Sequence, residues 1–181
     1  NGNTLNTIYN PSAADISAGT VILTLTVNGN GTCGQAIDAM TLTIWLDAMA
    51  DAGPDDGICE GETYTLSDAT ADNYTALYWT TSGSVTFNDA SILNPVYTPS
   101  LADVAAGTVQ LTLTATGIGV CPPVSNTMIL TITGAPTAIA GPNDGICASA
   151  GSFITNGSAT NYSSLLWTSG GTGTFTGENT L

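Results

Sequence analysis

Hydrophobic and polar residues alternate along this chain in short stretches with a period of two, the signature of half-buried strands. The clearest stretch is 108–116, where Val109, Leu111 and Leu113 face inward and Thr112 and Thr114 outward. Similar patterns predict strands over 62–68 (Tyr64, Leu66), 76–81 (Leu77, Trp79), 84–88 (Val85, Phe87), 94–98 (Val96 or Tyr97) and 127–133 (Met128, Leu130, Ile132), with a further short one near 49–53. Threonine suits the outward positions because it is both β-branched and polar. One helical turn interrupts the strands. Ser100-Leu101-Ala102-Asp103 has the spacing of a capping box, and Ser12-Ala13-Ala14-Asp15 repeats it. Gly107 and Gly19 supply the stops. Ser12, Asp15, Ser100 and Asp103 are therefore read as helix caps.

The pattern recurs. Residues 3–45 align without gaps on 91–133 at an offset of 88, and 52–93 align on 140–181 at the same offset. IYNPSAADISAGTVILTLTVNGNGTC becomes VYTPSLADVAAGTVQLTLTATGIGVC, with about half of the aligned positions identical. The expected organisation is the C-terminal half of a repeat at 1–48, a complete repeat at 49–133 and an N-terminal half at 134–181. Neither end falls on a repeat boundary, so the parent protein is expected to continue both ways. Seven or so short strands in 88 residues predict an all-β fold of tandem immunoglobulin-like β-sandwich repeats, each with one short helical turn. Trp79, Phe87, Tyr97 and their equivalents Trp167, Phe175 and Tyr9 are expected in the cores. Trp45 has Thr133 as its equivalent and is expected at a repeat junction.

Composition narrows the function. Lysine, arginine and histidine are absent, and 14 acidic residues give a net charge of -14. Only 8% of residues are charged, against about a quarter in typical proteins. Histidine-based triads, histidine metal ligands, Schiff bases and phosphate-binding lysines are excluded. Nucleic-acid binding is not expected, because nothing neutralises phosphates. No apolar run reaches the length of a membrane span. No signal peptide is visible, because Asn1 lies inside a repeat.

Candidate sites are few. Asp51, Asp55, Asp56, Glu60 and Glu62 fall close together, and calcium wants such oxygens. The repeat keeps only Asn143 and Asp144 there, with Ala148 and Ala150 replacing the glutamates. Calcium is thus a candidate ligand of Asp51, Asp55, Asp56, Asn143 and Asp144, with solvated turn residues as the alternative. Otherwise no cofactor is expected. Paired carboxylates could serve glycoside hydrolysis, but acidic residues repeated in turns argue for surface solvation, so no catalytic residue and no enzyme activity are expected. Asn-X-Ser/Thr occurs at Asn30, Asn73, Asn156 and Asn161, in keeping with the abundance of Asn and Thr.

Cys33 and Cys121 are equivalent, as are Cys59 and Cys147. Two cysteines per period suggest one disulfide per repeat in an oxidising compartment. Pairing Cys59 with Cys121 is unfavourable, because sandwich topology places them at opposite ends of a unit. A staple between successive repeats is expected instead: Cys59 to Cys33 of a following copy, and Cys147 to Cys121 of that copy.

The strings AGPDDGICEGETYTL, WTTSGSVTF and YTPSLADVAAGTVQLTLTATG, followed by Cys121, resemble the Ig-like or PKD-like tandem repeats of giant Bacteroidota cell-surface adhesins, including gliding-motility adhesins. The resemblance covers the whole chain. It implies type IX secretion, an extracellular location on the bacterial cell surface and a role in adhesion or surface structure. The leading expectation is a structural stalk or filament module whose partners are copies of itself or adjacent repeats. The alternative is a module that binds surface glycans, with calcium as a rigidifying ion. No Asp is followed by Ser or Thr, so the O-glycosylation pattern of that phylum is not expected.

Overall fold

A computed structural model describes residues 4–85 and 87–177 of the protein. Thr86, within the strand expected over 84–88, lies outside the described residues, as do the first residue of the aligned stretch 3–45 and the last four of 140–181. The first segment holds α1 (Ala13–Ala18), β1 (Thr20–Asn28) and β2 (Gln35–Thr43). The middle segment holds β3 (Met49–Asp51), β4 (Asp56–Cys59), β5 (Tyr64–Thr65), β6 (Thr70–Asp72), β7 (Tyr74–Thr81), β8 (Val96–Tyr97), α2 (Leu101–Ala106), β9 (Thr108–Gly117) and β10 (Val124–Thr133). The last holds β11 (Thr137–Ile139), a 3-10 turn at Ala148–Ala150 and β12 (Ser158–Thr160).

The fold is all-β and sandwich-like. One layer of the middle segment is a four-stranded sheet in the order β4-β10-β9-β7. β9 and β10 form an antiparallel hairpin, and β7 adds antiparallel to β9 with Trp79 opposite Leu113. β4 lies parallel to β10 at the edge, with Ile58 opposite Ile132. A parallel neighbour requires a long crossover, and the intervening chain supplies the facing layer. That layer is the short antiparallel pairs β3–β6 and β5–β8, extended by a bridge from Phe87 to Tyr97.

The core lies between the layers. Leu111, Leu113, Ala115, Met128, Leu130 and Ile132 pack against Leu66, Trp79, Phe87 and Tyr97. Three aromatics form a tilted stack, with ring centroids 5.7 Å apart for Trp79–Phe87 and 5.4 Å for Phe87–Tyr97. The indole N–H of Trp79 donates to the Leu93 carbonyl at 3.3 Å. No buried side-chain polar atom among the described residues lacks a partner, as a well-formed interior requires.

The strand boundaries differ from the periodicity in identifiable places. The strand expected over 84–88 is reduced to the Phe87 bridge, because the Ser84 N–H turns away from any ladder to donate to Asp103. The strand expected over 62–68 keeps only Tyr64–Thr65. Thr114, expected outward, is buried. Its hydroxyl bonds Ser125 at 2.8 Å, and Tyr78 of β7 is its ladder partner, so these two neighbours close over it on an otherwise more exposed outer face.

Candidate functional site

The first and last segments reproduce parts of the middle unit. β1 pairs with β2 with Thr20 opposite Thr43, and the equivalent pair across β9–β10 is Thr108 opposite Thr131. β11 pairs with β12 with Thr137 opposite Thr160, matching Met49 opposite Asp72 in β3–β6. Every residue in these pairs is displaced by 88. Asn73 and its equivalent Asn161 adopt the same left-handed conformation, with φ of 54° and 53°.

Strands are missing where their partners lie in the other half of the repeat. Residues 144–147, equivalent to β4, form no strand, and neither do 162–169, equivalent to β7. The partners of those strands are β10 and β9, whose equivalents sit in the first segment. Residues 8–9, equivalent to β8, likewise form none. A ladder forms only when both edges are present.

Two complementary faces are therefore open. In the first segment Met40 is 58% exposed and Leu25 50%, whereas their equivalents Met128 and Leu113 are 1% and 0% exposed. Tyr9, expected in the core, is 36% exposed against 0% for Tyr97. The physical reason is that the half-sandwich which would cover Tyr9 is not packed on it. In the last segment Trp167 and Phe175, also expected in the core, are only half-buried. They pack on each other at 6.1 Å and line an open cleft of about 500 Å³ with Ile139, Tyr162 and Leu165. In the middle unit the matching position is filled by the β9–β10 hairpin.

A tyrosine–aspartate corner marks the same contrast. The Tyr97 hydroxyl donates to Asp103 Oδ2 at 3.0 Å, and the Ser100 N–H donates to the same oxygen at 2.9 Å. The Ser84 N–H donates to Oδ1 at 2.9 Å. Asp103 is buried near the molecular surface, and desolvation pushes its pKa up. Donors from Ser100, Ser84 and Tyr97 outweigh that, so the carboxyl stays below the usual aspartate value. Asp15 repeats the arrangement in the open, accepting from Tyr9 at 2.7 Å and from the Ser12 N–H at 2.9 Å. The Tyr9 hydroxyl and then the Ser12 donors hold its pKa down as well. Both helices carry the reciprocal capping box, from Ser12 with Asp15 and from Ser100 with Asp103, and both end on a left-handed glycine.

The remaining candidate carboxylates bond to backbone N–H groups. The side chains of Asp51, Asp56 and Asp144 accept from the nearby N–H groups of Gly53, Gly57 and Gly145. Asp55 accepts from the Ile129 N–H at 2.7 Å, tying the start of β4 to β10. No group of three or more Cys, Asp or Glu that could hold a metal ion occurs among the described residues.

All four cysteines are free thiols in this chain. Cys59 is the ladder partner of Thr133 at one end of β10, while Cys121 precedes the other end. That separation is about 30 Å at strand rise, far beyond the span of a disulfide. Trp45 packs at the start of the middle unit. A Cβ on Gly119, whose φ is +62°, would lie 2.7 Å from the Trp45 ring, so only glycine admits this approach. The Cys121 thiol points to the Trp45 carbonyl at 3.9 Å.

The sequence signals for β4 and β6 were weak. DGIC has one large apolar residue and TAD none, so pairing and not periodicity defines those strands. The Tyr97–Asp103 bond links residues that spacing read separately, as core and cap; the recurrence of both at Tyr9 and Asp15 was the available clue.

These features define an all-β sandwich protein with one covered unit and two open half-units. No protein-family model matches the chain, and no match is found among curated proteins.

Proposed function

We propose that the protein is a structural module of an extracellular stalk or filament, assembled by completing one half-sandwich with another. The observation that supports this reading is the presence, in one chain, of an open β1–β2 face and an open Trp167–Phe175 cleft, each equivalent to part of the covered middle unit. The middle unit supplies the template: Tyr9, Leu25, Met40, Trp167 and Phe175 have buried counterparts 88 positions away, at Tyr97, Leu113, Met128, Trp79 and Phe87. The contact is head to tail, so it leaves a free face at each end and propagates as an open chain unless the rotation closes it. Stacked units that touch mainly their neighbours make a stiff, quasi-linear array. The motif resemblance supports placing such an array on the bacterial cell surface, with adhesion or surface structure as its role.

Electron microscopy of the purified 181-residue protein tests the proposal. The expected result is unbranched filaments one sandwich wide, beaded at about 30–40 Å, the length of a ten-residue strand plus its turns. Discrete particles at all concentrations would contradict it. Charge gives a second expected outcome. Every copy carries -14, so copies repel and association strengthens with salt. Raising ionic strength from about 10 mM to about 150 mM shortens the screening length from about 30 Å to about 8 Å. Filaments are expected to lengthen over that range, the opposite of an interface held by ion pairs.

A further inference from the structure

We infer that the junction between copies is a redox-closed site, in which Cys147 of one copy forms a disulfide with Cys121 of the next, and Cys59 of the first with Cys33 of the next. The inference rests on the half-sandwich completion proposed above, and it adds a covalent chemistry to that contact.

The geometry is read from the middle unit. There Cys59 is the ladder partner of Thr133, and the Glu60 N–H donates to the Thr133 carbonyl at 2.8 Å. Cys147 is the equivalent of Cys59, Ala148 of Glu60, and Trp45 of Thr133. When the last segment of one copy docks on the first segment of another, Cys147 therefore comes beside Trp45. Adjacent strands lie about 4.8 Å apart. The Trp45 carbonyl already has the Cys121 thiol against it at 3.9 Å, delivered by the β9–β10 hairpin of the following unit. The carbonyl of residue 45 thus becomes the meeting point of two cysteines from different copies. Sharing that neighbour is what would bring them within the few ångströms that a disulfide spans.

The same junction recurs one repeat earlier. Cys59 stands beside Thr133 at the end of the middle unit, and the hairpin that abuts this end belongs to the docked first segment of the next copy. That hairpin carries Cys33. Gly31, the equivalent of Gly119, has nothing within 4 Å of its would-be Cβ in the single chain. It takes the place at the Thr133 end that Gly119 takes over Trp45. Cys33, Cys59 and Cys147 are all exposed in the single chain, and within one chain Cys121 and Cys147 stand at distant ends of successive units.

Closure converts two thiols to one S–S bond and releases two protons and two electrons. The oxidant is a small-molecule disulfide: a thiolate attacks it, a mixed disulfide forms and the second cysteine displaces the small thiol. Two staples per junction would fix the copies against pulling and dilution.

The test has two arms on the intact chain. Sedimentation under reducing conditions reports whether copies associate. Oxidation with glutathione disulfide, alkylation of residual thiols and a peptic digest (the chain has no lysine or arginine for trypsin) report which cysteines pair. The expected result is a denatured, non-reduced ladder in multiples of 18.2 kDa, with Cys121–Cys147 and Cys33–Cys59 linked peptides. The Cys59→Ser/Cys147→Ser double variant should associate like the parent when reduced and give no ladder when oxidised. Chains that associate yet leave all four thiols open to alkylation after the oxidation, or a Cys59–Cys121 linked peptide, would overturn the staple and leave the half-sandwich contact standing. Absence of association in the reducing arm would overturn both.

Discussion

Replacing Trp79 with alanine should cost the 49–133 unit about 3–5 kcal/mol, the range for removing a large buried aromatic. Trp79 is almost fully buried, stacks on Phe87 and lies opposite Leu113. A small domain has only about 5–15 kcal/mol of stability, so the variant should melt far below the parent or fail to fold. The matched change at Trp167 separates packing within a chain from packing between copies. In dilute, reduced chains Trp167→Ala should leave the melting of the middle unit unchanged, because Trp167 is half-buried in another segment. In concentrated chains it should weaken association by at least about a hundredfold, since about 1.4 kcal/mol is a factor of ten. Calorimetry and sedimentation read the two effects separately. Equal association of Trp167→Ala and parent would remove the cleft from the interface.

Asp103→Ala is expected to be the most damaging exchange of a charged residue, at roughly 2–4 kcal/mol from a lost cap and orphaned donors. It deprives the Ser100 N–H, the Ser84 N–H and the Tyr97 hydroxyl of their acceptor at once. Asp15→Ala removes the same cap from an open segment and should change the melt of dilute chains little. In assembled chains it should approach the Asp103 effect, because docking buries the Tyr9–Asp15 corner. The Thr172 N–H of the docking copy, equivalent to that of Ser84, is then expected to join the Tyr9 and Ser12 donors already on Asp15. The sign with pH follows from the lowered pKa of Asp103. Its contribution is full above the unfolded aspartate value of about 3.9, and is lost as pH falls through the lower folded value. The difference in melting temperature between parent and Asp103→Asn should therefore shrink as pH falls below about 4. A constant difference would mean that the carboxylate charge contributes nothing.

The hairpin strands were legible because each carries several large apolar residues at alternate positions. The capping boxes were legible because Ser and Asp three apart, before a glycine stop, have few other uses. β4 and β6 were not legible, since Ile58 and Ala71 give no period to count. Their existence depends on partners more than 60 residues away (for β4) or on a three-residue pair (for β6). The strand expected at Val85 and Phe87 failed because the Ser84 N–H found a carboxylate that local sequence does not reveal. The open faces were legible only through the repeat. Nothing about Met40 by itself marks it as different from Met128. The offset of 88 residues identifies them as the same position, and the contrast in exposure then identifies one as missing its cover.

Sedimentation velocity of the reduced 181-residue chain across a wide concentration series tests half-sandwich completion most directly. The expected result is a weight-average mass that climbs from 18.2 kDa without a plateau, as open head-to-tail association requires, and that falls back when Leu25→Asp blocks the hairpin face. A single 18.2 kDa boundary at every concentration, in salt sufficient to screen the charge, would contradict it.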